Sequence, residues 1–124
     1  MTTVAFELRS GIRVAHPIGD IDAFSAGGLR DELTQTVNGG SRGLIVDLSR
    51  TRYVDSAGID MLLRLNERLR ERRATLRLVI PSGSQLDRLA EIVGLHSAVA
   101  IHDSVEEAVA TEAPSAAPQG TPRR

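Results

Sequence analysis

Leu44-Ile45-Val46-Asp47-Leu48 restricts the fold more than any other stretch, because only one of its five side chains is polar. A strand shows alternate residues to opposite faces, so a run that is apolar almost throughout must be covered on both. Strands of that kind belong to largely parallel sheets with helices packed against them. The flanking sequence agrees. Val4, Phe6 and Leu8 alternate with Ala5 and Glu7, and past Ser10-Gly11 the alternation resumes at Ile12, Val14 and Ile18. This predicts an N-terminal β-hairpin. Leu29, Leu33 and Val37 then recur at helical spacing, with Asp22 or Ser25 as candidate caps and Asn38-Gly39-Gly40 as a stop.

Downstream, Ile59, Leu62, Leu63, Asn66 and Leu69 form one stripe of an amphipathic helix expected from Ala57 to about Arg73. Leu76, Leu78 and Ile80 read as a strand. Leu86, Leu89, Ala90 and Val93 read as a helix ended by Gly94, and Ala98 to His102 as a last strand. A short helix should follow, capped by Asp103 or Ser104. From Glu112 onward Pro, Ala, Ser, Gly and Thr dominate, so 1–111 is expected to be the domain and 112–124 a disordered tail. The order β-β-α-β-α-β-α-β-α predicts a single α/β domain. Its central sheet is mostly parallel, with the antiparallel hairpin at one edge and four helices around it.

Composition removes several function classes. The 124 residues fit one core, and without cysteine there is no disulfide, thiolate ligand or cysteine nucleophile. A net charge of -1 and 2% aromatic residues argue against direct nucleic-acid binding, which uses basic faces and stacking platforms. No apolar run reaches the roughly 20 residues that span a bilayer, so no membrane insertion is expected and a cytoplasmic location is.

Chemistry is expected where the apolar run gives way to a helical pattern, at Asp55-Ser56-Ala57-Gly58-Ile59. In parallel sheets, residues beyond the carboxyl ends of the strands face ligands, which would gather Asp20, Asp22, Asp47, Asp55 and Ser56 at one end. Three readings fit that cluster. Asp55 or Ser56 could simply cap the helix. The carboxylates could hold a divalent metal, as in an aspartyl-phosphate receiver, although a receiver also needs a lysine and this chain has none. Ser56 could instead be a phosphoacceptor offered to another protein's kinase site, with Ala57 and Gly58 small enough to let that partner approach.

Asp55-Ser56-Ala57-Gly58-Ile59, following Asp47-Leu48-Ser49 and Tyr53-Val54, resembles the Asp-Ser-Ser/Thr-Gly-Leu signature of STAS domains, specifically of bacterial anti-sigma-factor antagonists. Gly19-Asp20-Ile21-Asp22 is similar to that family's Gly-Glu-Leu-Asp segment, and Leu89 to Leu95 to its late helix ending in Gly-Leu. The resemblance implies a non-enzymatic switch with no cofactor. The unphosphorylated form would bind an anti-sigma factor that is also a serine kinase, and so release a sigma factor. Phosphorylation of Ser56 would end binding, and a metal-dependent phosphatase would reset it. Asp22, Asp55, Ala57, Gly58 and Ile59 would form the partner-binding face. Ala57 stands where many members have a second hydroxyl, leaving Ser56 as the one acceptor in the motif. The alternatives are a non-switching STAS scaffold or lipid-transport subunit with Ser56 as a helix cap, and a metal-dependent enzyme using the acidic cluster.

The remaining polar residues suggest structural roles. His16, His96 and His102 are scattered without helical metal spacing and read as ordinary loop or strand positions. Ser49, Ser82 and Ser104 read as turn or cap residues. Arg64, Arg68, Arg70, Arg72 and Arg73 are interleaved with Asp60, Glu67 and Glu71, the pattern of a solvated, self-paired face.

Overall fold

The computed structural model describes residues 2–37 and 42–112. Among them lie β1 (Thr2–Arg9), β2 (Ile12–Ile21), α1 (Ala26–Val37), β3 (Gly43–Asp47), β4 (Thr51–Val54), α2 (Ser56–Glu71), β5 (Thr75–Val79), α3 (Gln85–Ile92), α4 (Leu95–Ala98), β6 (Ala100–His102) and α5 (Val105–Glu112). The strands form one mixed sheet in the order β1-β2-β3-β5-β6, with β4 also paired to β2. Only β1 and β2 are antiparallel; the other pairings are parallel. The hairpin turns at Ser10 and Gly11, both at positive φ (52° and 79°), the geometry whose twist matches the flanking strands.

Every residue of β3 is buried, as its composition requires. Leu44 and Val46 join the larger core beneath α1, α2 and α4, while Ile45 packs with Val14, Val79, Val105 and Ala108 beneath α5. That alternation decides where Asp47 points: its parity is that of Ile45, so it lies on the α5 face. The α2 stripe is wider than its sequence spacing suggested, with Met61 and Leu65 buried beside Ile59, Leu62 and Leu69. At 25 cal/mol per Å², each fully buried side chain of this kind contributes about 2 kcal/mol.

The fold holds two elements that the hydrophobic pattern does not announce, β4 and the four-residue α4. β4 buries only Val54, so no alternation marks it. Its pairing is set instead by β2, which is long enough to accompany β3 over Arg13–Ala15 and β4 over Gly19–Ile21. Between those segments Pro17 has no N–H for the ladder, and the Thr51 hydroxyl donates to its carbonyl at 2.8 Å. The expected stop at Asn38-Gly39-Gly40 lies outside the described residues, as does the expected 112–124 tail apart from its first residue, which belongs to α5. Glu112 itself closes α5, accepting from Arg77 Nε at 2.8 Å.

α2 ends with Arg73 in the left-handed region (φ 59°), where the Ala74 amide reaches back to the Leu69 carbonyl at 2.8 Å. A glycine occupies such a position without the Cβ penalty. Arg73→Gly is therefore expected to raise stability by about 1 kcal/mol, read as a higher denaturation midpoint with an unchanged slope.

Candidate functional site

β2 and β4 run parallel and finish together. Ile21 is opposite Val54, and the Asp55 amide donates to the Ile21 carbonyl at 3.1 Å. The residues just beyond, Asp22 and Asp55, each lead into a helix. Asp22 Oδ1 accepts from the Phe24 and Ser25 amides (3.0 and 3.1 Å), and the Asp22 amide donates to Ser25 Oγ (3.0 Å). This is the reciprocal arrangement of a capping box. Asp55 is extended and its Oδ1 accepts from the Gly58 amide at 3.0 Å, which makes it the N-cap of α2. Asp55→Ala should cost about 1 kcal/mol, measurable by urea denaturation.

Because Asp55 holds the cap, Ser56 does not. The expectation of Ser56 as an alternative cap is corrected by this geometry: Ser56 is the first helical residue, exposed, and its hydroxyl has no partner among the described residues. Gly58 has a different reason from the one its sequence suggested. It is buried, and a Cβ built on it would lie 2.5 Å from Val54 Cγ1 and 3.0 Å from both Ile21 Cγ2 and the Ile21 carbonyl oxygen. Glycine is what lets α2 start directly on the ends of β2 and β4. Ile59 is also buried and Ala57 half-buried, so Ser56 is the residue of the motif that stands outward.

The expected gathering of acids at this end is only partial. Asp47 is 6% exposed and faces α5, where its Oδ2 meets His16 Nδ1 at 2.8 Å. Asp20 is taken up by Arg52 through two contacts of 2.9 Å, and that guanidinium holds the Asp20 carboxyl below its ordinary range. Asp22 and Asp55 spend carboxylate oxygens on backbone amides. Among the described residues, no group of three or more acids, histidines or cysteines is arranged to hold a metal. The self-paired arginine face is realised at Arg64, whose Nε meets Asp60 Oδ2 at 2.7 Å. Ser104 caps α5 through the Glu107 amide at 3.1 Å.

Two exposed aromatics lie close in sequence to the starts of α1 and α2; Tyr53 entered the sequence reading only as part of the motif, and Phe24 was passed over. Phe24 is 99% exposed beside Asp22, and Tyr53 is 57% exposed on β4. The signal for Phe24 was present, since it falls outside the series Leu29, Leu33, Val37 that faces the core. Phe24 is almost wholly uncovered, while Tyr53 is partly covered and borders a cleft with Leu86 and Leu89; large exposed apolar groups beside a polar turn suit a protein contact.

A sequence model of the STAS domain matches residues 3–108. The chain belongs to the STAS domain family. Solved structures share the fold. An anti-sigma factor antagonist from Mycobacterium paratuberculosis superposes with a TM-score of 0.79 at 22% identity, over 90% of this chain and 93% of that one. SpoIIAA, an anti-sigma factor antagonist, matches in its unphosphorylated form with a TM-score of 0.67 at 17% identity, over 90% and 97% of the two chains. The phosphorylated form of the Bacillus SpoIIAA matches at 0.63 and 18%, over 89% and 99%. No curated protein gave a match to the sequence. No helix of this STAS domain, among the described residues, is long and apolar enough to cross a membrane.

Proposed function

We propose that this STAS domain is a cytoplasmic anti-sigma-factor antagonist, a binding switch and kinase substrate rather than an enzyme. Its partner is an anti-sigma factor that is also a serine kinase, and Ser56 is the acceptor. One observation carries the reading: Ser56 offers an exposed hydroxyl, without a partner among the described residues, at the first position of α2, while its neighbour Asp55 takes over the capping. A cap residue would have its oxygen committed to a backbone amide; this oxygen is available to a second protein.

In the transfer, Ser56 Oγ attacks the γ-phosphorus of ATP held by the kinase. The Oγ–P bond forms, the bond to the ADP oxygen breaks, and the hydroxyl proton passes to a base on the kinase. The product carries about -1.5 to -2 additional charges. The first amides of α2 favour that charge, and the Asp55 and Asp22 carboxylates at the neighbouring helix starts oppose it. A partner surface that accepts the neutral turn, with Phe24 and Tyr53 against it, then meets a dianion. Asp22 and Asp55 shape the face, Ala57 stands at its edge, and Gly58 and Ile59 hold it from beneath. A metal-dependent phosphatase returns the domain to its binding form. Mixing the domain with the anti-sigma kinase and ATP, then following complex dissociation by size-exclusion chromatography, tests the switch. Loss of the complex in step with Ser56 phosphorylation supports it; a complex that survives full phosphorylation refutes it.

A further inference from the structure

The α5 face of the sheet holds a second polar group, away from Ser56. His16 on β2 lies between two carboxylates, with Nδ1 2.8 Å from Asp47 Oδ2 on β3 and Nε2 2.5 Å from Glu7 Oε2 on β1. Asp47 Oδ1 also accepts the Ser49 amide at 3.0 Å. The trio borders a cavity of about 580 Å³ that reaches the start of α5. The charged groups facing it are Glu7 and Arg9 from β1, Asp47 from β3, Arg50 from the turn after β3, and Asp103 and Glu106 from the entry to α5. Arg9 bridges Glu7 (3.2 Å) and Glu106 (3.1 Å).

A carboxylate can only accept, and a neutral imidazole donates from one nitrogen alone. The doubly protonated ring is therefore the form that makes both contacts. We propose that His16 is a proton-controlled clasp that fastens the edge strand β1 across β2 to β3. When the ring loses a proton, one carboxylate must face a lone pair. The Asp47 side chain is 8% exposed and the Glu7 side chain 37% exposed. Glu7 is thus the one that turns away, toward Arg9 and water, while Asp47 keeps the remaining N–H.

The clasp has an acid limit as well. The hydrogen bond from His16 holds the Glu7 carboxyl below its ordinary value, aided by Arg9. A lowered folded-state pKa means stability that is present above the unfolded value and lost as pH falls through the folded one. Fastening of β1 should therefore weaken as pH falls through the lowered Glu7 value.

Amide hydrogen exchange of Thr2–Arg9 by NMR, corrected for intrinsic rates, tests this together with the ring signals of the three histidines. Protection of β1 is expected to fall about five- to tenfold as the His16 ring titrates, the worth of one charge-assisted hydrogen bond, while the Ser49 amide stays protected. In His16→Gln the alkaline fall should disappear. In Glu7→Gln it should also disappear, because an amide can donate to the neutral ring's free nitrogen. Protection that does not follow the His16 titration, or that falls equally in both variants, overturns the proposal. The signals of His96 and His102, which face Asp87 and Glu107, identify a fall that belongs to another histidine.

Discussion

Gly58→Ala is expected to destabilise the domain by about 2–3 kcal/mol, the range of overpacked core positions. A single methyl group is enough, because the space it would need is taken by Val54 Cγ1 at 2.5 Å and by the Ile21 carbonyl at 3.0 Å. The carbonyl belongs to the residue paired with Val54 at the end of β2 and already accepts the Asp55 amide. It cannot withdraw without breaking the junction at which β2, β4 and α2 meet. The helix must shift instead, and with it the turn that presents Ser56. Thermal unfolding should move down by roughly 10 °C, and partner binding should weaken in the same variant. Ser56→Ala, two residues away but exposed, should stay within about 0.5 kcal/mol of the parent. If the two substitutions cost the same, the close approach of α2 to the strand ends does not govern stability.

Binding should depend on the charge placed at position 56. Ser56→Ala is expected to keep the affinity for the anti-sigma partner, whereas Ser56→Asp should lower it at least about tenfold, the scale of an unfavourable charge set within an interface. The carboxylate enters a turn that already carries Asp55 and Asp22, and it meets a surface suited to a neutral hydroxyl. Isothermal calorimetry on the three proteins separates the possibilities. Equal affinities for the Ala and Asp variants would show that charge at this position does not control docking. Phe24→Ala and Tyr53→Ala would then show whether the apolar flank carries the binding alone.

Much of this was legible because burial imposes a period. Leu44–Leu48 dictated a strand covered on both faces, and Ile59 through Leu69 a helix on one. The hairpin was legible from its alternation and from Ser10-Gly11. What escaped notice has a physical reason in each case. β4 buries one residue and is defined by its pairing with β2, an interaction between positions more than thirty residues apart. α4 is too short to display a period. Asp47 was grouped with Asp22 and Asp55 because all were expected near the carboxyl ends of the strands, yet strand position says which end a residue occupies and not which face. Its parity with Ile45 was the available signal, and His16 shares that face through Val14, the partner of Ile45.

The motif itself was only half legible. Its order of residues pointed to Ser56, which stands exposed at the start of α2. The role of Gly58 could not be read from sequence, since a glycine that admits a partner and one that admits the protein's own strand look alike until the contact is built. The same holds for the cap, which Asp55 or Ser56 could have supplied. Asp55 was free to take it because its backbone is extended, with the side chain turned toward the Gly58 amide.

The central claim is that Ser56 is offered to another protein's active site. The most direct measurement is to incubate the full chain with an anti-sigma kinase shown to bind it, add ATP, and locate the phosphate by tandem mass spectrometry, with Ser56→Ala in parallel. One phosphate on Ser56, and none on the Ala variant, is the predicted result. Phosphate on another residue, or a bound and active kinase that leaves Ser56 unmodified, would contradict it.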